Sequence, residues 1–117
     1  MEYVAHTRDA IAWYGERIDL ILTQDRPQLA ARDWDAVCEE RRYVDEVPAQ
    51  AVEGVEREAS RLAAQLAATP ADNWKRAGVG SGGDDRTVLD LARRAVHEGV
   101  HHLLDVQRVL QAVMTVR

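Results

Sequence analysis

Apolar residues in the first part of the chain fall at Val4, Ile11, Tyr14, Ile18 and Leu22, close to the 3.6-residue repeat of a helix with one buried face. The pattern predicts a helix from Glu2 to about Thr23. The stretch "TQDRPQLAARDW" interrupts it with Pro27 and mixed polar residues, which marks a loop, and a short helix from Asp33 to about Arg42 follows. Asp45, Val47 and Pro48 then open a segment in which Val52, Val55, Ala59, Leu62 and Leu66 recur at helical intervals, ending near Ala68. Its inner edge is lean, with alanine in many places.

Periodicity lapses over residues 69–86, where "TPADNW" and "GVGSGGDD" read as a long turn-rich connection with room for a small hairpin and with Trp74 as its large apolar anchor. Gly78, Gly80 and Gly83 match the spacing GxGxxG. That spacing cradles a pyrophosphate only when a strand precedes it and a helix follows within a βαβ unit. No apolar strand precedes it here, no lysine follows to make a P-loop, and the reading is a flexible connection. "TVLD" opens the last helix, Thr87 serving as cap and Asp90 standing at the fourth place of a capping box. This helix is expected to reach Val113 or beyond, with Val88, Ala92, Val96, Gly99, Leu103, Val106 and Leu110 along its apolar face. The architecture expected is all-α, an up-down helical bundle of three main helices plus a short one, in one domain over residues 1–117.

Charge narrows the classes of partner. A formal net charge of -5 with 30% charged residues argues against nucleic acid, whose phosphates such a surface repels. No apolar run approaches the ~20 residues of a membrane span, and "MEYVAHTRD" carries charges where a signal peptide needs an unbroken apolar stretch, so the expected address is the cytoplasm. The lone Cys38 has no partner for an intramolecular disulfide or a CxxC motif, and no histidine near it in sequence to activate it as a nucleophile.

The candidate chemistry lies in "HEGVHH", residues 97–102, which holds three of the four histidines. His97 and His101 are one helical turn apart and can reach one cation. His102 points about 100° away from His101, which leaves His6 on the first helix as the remaining histidine for a third ligand. On helical wheels His97 and His101 share the polar side with Asp90, Arg94, Asp105 and Arg108, and His6 shares a flank with Ala10, Trp13 and Arg17. Surface histidines with no ligand give the same pattern. Glu98 or Asp105 can orient an imidazole as its hydrogen-bond acceptor, or pair with Arg94 or Arg108 on the surface.

The blocks "EYVAHTRDAIAWYGERI", "DWDAVCEERRYVDEVPAQ" and "TVLDLARRAVHEGVHHLLDV" together resemble actinobacterial members of the DinB-like superfamily, metal-binding bundles that include mycothiol-dependent maleylpyruvate isomerase and other thiol transferases. The resemblance spans nearly the whole chain and rests most on a histidine in "AHTRD" followed at a distance by "HEGVH". It implies a three-histidine metal site on His6, His97 and His101, holding zinc first among candidates that include nickel and iron. By the same resemblance the function is a metal-dependent transfer using a low-molecular-weight thiol such as mycothiol, with Asp9, Glu98, Asp105, Arg94 and Arg108 available to bind it or move protons. Hydrolysis at the same ion, and a non-catalytic dimeric binding module, stand as alternatives. In that family a full helix precedes the "EYVAH" helix, whereas this chain starts at that block. The expectation drawn from this is a homodimer in which two chains complete each other's core.

Overall fold

The computed structural model describes residues 2–41 and 47–100, with backbone only at 2, 3, 35, 38 and 41. Helix α1 runs Glu2–Thr23, α2 Trp34–Arg41 and α3 Pro48–Ala67; a 3-10 turn at Ala71–Asn73 leads to a hairpin of β1, Ala77–Val79, and β2, Asp85–Thr87. A last helix, α4, covers 88–100. The all-α architecture with three main helices and a short one is therefore present, and the small hairpin sits in the turn-rich connection. Among the described residues no helix is long and apolar enough to cross a membrane. Asp45, His101, His102, Asp105, Arg108 and the end of α4 lie outside the described residues, as does the side chain of Cys38.

The core forms between α1 and its two long neighbours. Ile11, Tyr14, Ile18 and Ile21 of α1 cluster with Leu62 of α3 and with Val88, Leu91 and Ala95 of α4, and Leu29 fills the end. Helix α3 meets α1 through small residues, Ala51 and Gly54 being buried. A side chain on Gly54 would collide with the Arg8 stem, 2.5 Å from the position its Cβ would take. This corrects the stripe expected for α3: Val52 and Ala59 are exposed, because close approach to α1 selects the smallest side chains for the contact. Gln65 locks the pair by donating to the Gly15 carbonyl at 2.9 Å and to Asp19 Oδ1 at 2.7 Å.

Local chemistry explains the helix ends. Thr23 bonds back to the Asp19 carbonyl at 2.7 Å, Arg26 takes φ 45, and Pro27 ends any continuation of α1. Asp33 caps α2 by accepting the Ala36 N–H at 3.2 Å. Pro48 occupies the first turn of α3, where its missing N–H costs nothing. At α4 the capping box is reciprocal: Thr87 N–H donates to Asp90 Oδ2 and Asp90 N–H donates to Thr87 Oγ1, both at 3.0 Å.

The glycine-rich connection is pinned on both sides rather than loose. Val79 N–H donates to the Pro27 carbonyl and Leu29 N–H to the Val79 carbonyl, each at 2.8 Å, so residues 27–29 lie along β1. Gly78 has no room for a side chain, since a Cβ would stand 2.9 Å from both Leu29 Cγ and the Pro27 carbonyl oxygen. Gly83, at φ 85, makes the hairpin turn. The N–H groups of Val88 and Leu89 are taken by the carbonyls of Arg76 and Trp74. With Asp90 N–H on Thr87, the first donors of α4 are occupied, and the Asp90 carboxylate stands where a phosphate would have to come.

Candidate functional site

His6 projects from α1 half-buried, its imidazole edge-on to Trp34 with centroids 4.7 Å apart. Trp34 meets Trp13 edge-on at 5.6 Å, and the Arg17 guanidinium lies over Trp13 at 4.2 Å. The flank expected to hold His6, Trp13 and Arg17 is thus an aromatic wall, closed by the first residue of α2. Arg17 Nε is buried and finds no acceptor among the described residues. Burial lowers its pKa from the usual arginine range, and the guanidinium nevertheless stays charged. Asp9, one of the polar candidates, is buried, with its oxygens engaged by Arg8 at 3.0 and 3.3 Å.

His97 stands on the opposite side of α4 from the buried Leu91 and Ala95, and its side chain is exposed. The polar side expected for it is where it lies. The apolar face expected for α4 needs correction, however: Val88, Leu91, Ala92 and Ala95 are buried, whereas Val96 is 55% exposed. The capping box and the hairpin fix the entry angle so that Val88 and Leu91 point inward, which turns Val96 away.

Two cavities meet at His97. The larger, about 710 Å3, is lined by Leu66, Trp74, Ala92, Arg93, Val96, His97 and Val100. A smaller one, about 330 Å3, is bordered by Tyr14, Arg93, Arg94, His97 and Glu98. Tyr14 of α1 and Glu98 of α4 border the same cavity; burial, and then the Glu98 charge, raise the Tyr14 pKa. Tyr14 therefore stays protonated at neutral pH.

His6 and His97 thus stand on two helices that pack directly on one another, while His101 lies outside the described residues. Among the described residues no group of three His, Cys, Asp or Glu side chains forms a metal-holding cluster. Sequence reasoning singled out neither Trp34 as the neighbour of His6 nor Arg93 as that of His97. A signal existed for the second, since positions 93 and 97 are four apart on one helix face. Tyr14 was legible as a core residue but not for its hydroxyl.

No family model matches the chain, and no curated protein does. Among solved structures it superposes with a TM-score of 0.77 and 19% identity on a protein described in the words "YfiT from Bacillus subtilis is a probable metal-dependent hydrolase with an unusual four-helix bundle topology". The match covers 94% of this chain and 65% of that one. At that identity the likeness is one of fold, and it places the chain in the class of helical bundles with that topology.

Proposed function

We propose that the chain is a metal-dependent enzyme of the DinB-like kind, with one divalent ion held by His6, His97 and His101. The observation that carries the reading is the position of His97, exposed where two cavities meet, on a helix packed against the one that bears His6. Three imidazoles are a donor set suited to zinc, nickel or iron, and the His97 side chain is exposed. When bound, such an ion supplies Lewis acidity that polarises a substrate and favours the deprotonated form of a water or thiol nucleophile.

The chain's own residues supply the rest. Trp34 packs against the His6 ring and restricts its orientation. Tyr14 and Glu98 present polar groups to the smaller cavity, and Arg93 and Arg94 bring positive charge to it.

Two reactions fit this site. Hydrolysis is supported by the likeness of fold to a probable metal-dependent hydrolase. Thiol transfer, with mycothiol or a similar thiol as co-substrate, is supported by the resemblance of the sequence blocks to thiol-using bundles. Turnover of acyl esters and of thiol-reactive electrophiles, each with and without added thiol, separates them: hydrolysis proceeds without thiol, and transfer stops without it. Failure of both, in protein loaded with zinc, nickel or iron, overturns the enzymatic reading in favour of a binding module.

Self-association is part of the proposal. Its support is that Val47 and Val52 are 53% and 43% exposed at the start of α3, a site roughly 21 Å along that helix from Leu66 and the larger cavity.

A further inference from the structure

The larger cavity has walls that the metal does not require. Val96 and Val100, 55% and 53% exposed, stand side by side on α4 facing Leu66 and Trp74. Single exposed valines need no explanation, but adjoining ones that share a groove with an indole and a leucine form a patch of the kind that marks a binding surface. The indole wall is fixed: Trp74 Nε1 donates to the Thr69 carbonyl at 3.2 Å, and the Trp74 carbonyl accepts the Leu89 N–H at 3.1 Å. A volume of about 710 Å3 falls within the range of small-molecule sites.

Among the described residues the charged or titratable side chains lining this groove are His97 and Arg93. Arg8, Arg26, Arg61 and Arg86 each pair with a carboxylate. Arg93 pairs with none among the described residues, and the nearby Asp90 carboxylate is engaged by the Thr87 N–H. Among the described residues the groove thus has beside it a guanidinium with no ion-pair partner, its charge acting on Asp90 one turn away only as a weak field. Guanidinium is the side chain whose fork of donors matches a carboxylate.

We infer that the groove binds a small amphiphilic anion, its apolar tail between Trp74, Leu66 and the valines Val96 and Val100, and its carboxylate on Arg93. This rests on the proposed function in one respect only, that the occupant is the acyl portion of the substrate or its carboxylate product. Since Arg93 and His97 are one turn apart, the carboxyl carbon of such a ligand lies on the side of the groove where the ion would act.

The test uses the full chain stripped of metal with a chelator, so that it does not depend on the metal site, while metal content is measured separately on untreated protein. Octanoate, 1-octanol and octylammonium are titrated by calorimetry and by tryptophan fluorescence. Octanoate is expected to bind about fivefold or more tightly than octanol, and octylammonium more weakly than either. Arg93→Gln is expected to bring octanoate down to octanol, and Val96→Asp to weaken all binding at least tenfold without changing the circular dichroism spectrum or the melting temperature. Equal affinity for octanoate and octanol, or no effect of either substitution, overturns the inference. So does a Val96→Asp protein that passes from dimer to monomer with no ligand bound by the parent, which would give the groove to a second copy of the chain. If octanoate binds as described but no metal does, the metal reading alone fails.

Discussion

Thr87 and Asp90 decide where α4 begins, each giving its backbone N–H to the other's side chain. The hydrogen bonds to Thr87 hold the Asp90 carboxyl below the usual aspartate range. A carboxylate with a depressed folded-state pKa contributes stability above its unfolded value of about 3.9 and loses it as pH falls through the folded value. Asp90→Ala is therefore expected to cost about 1 kcal/mol at neutral pH, measured by urea unfolding, and the gap between parent and variant is expected to close below roughly pH 4. Gly78 makes an opposite demand, for absence of a side chain. Gly78→Ala is expected to cost about 1–3 kcal/mol by overpacking against Leu29 and Pro27, while Gly82→Ala, on the exposed turn, changes little. The capping box was legible in "TVLD" because its chemistry is local. The need for Gly78 was not, because Leu29 meets it across some fifty positions of chain, and no short-range pattern reports such a contact.

The starts of α2, α3 and α4 were legible to within a residue or so from local signals, Asp33, Pro48 and Thr87 respectively, while the end expected for α4 at Val113 or beyond lies outside the described residues. Which side of each helix turns inward was not equally legible. Helix α4 carries two overlapping apolar series, one through Val88, Leu91, Ala92 and Ala95 and another through Val96, Gly99 and, in the sequence beyond the described residues, Leu103, and a wheel averages them. The entry from the hairpin selects the first. Leu91, 1% exposed, is accordingly expected to cost about 2–5 kcal/mol on change to alanine, and Val96→Ala about 0.5 kcal/mol or less. Chemical denaturation of the two variants checks this; equal losses would restore the averaged face. In α3 the same ambiguity is resolved by Gly54, whose lack of a side chain lets α1 approach and leaves Val52 in water.

At the scale of the molecule, α1, α3 and α4 make one core, and the histidines sit at its margins: His6 against Trp34, His97 at the junction of the cavities. The four-residue interval between His97 and His101 is plain in the sequence, with His101 outside the described residues. The aromatic wall and the groove were not, since each is assembled from elements far apart in the chain. Self-association is expected to appear in light scattering as twice the chain mass at micromolar concentration, with Val52→Asp shifting it toward monomer; a well-folded monomer at that concentration contradicts it. The metal claim is tested most directly by X-ray absorption on protein purified without chelator, paired with metal analysis of His6→Ala, His97→Ala and His101→Ala. The account predicts one divalent ion per chain with imidazole nitrogens at about 2.0–2.1 Å, and loss of the ion in each variant. An ion retained in full by all three variants, or a parent protein that takes up none, would contradict it.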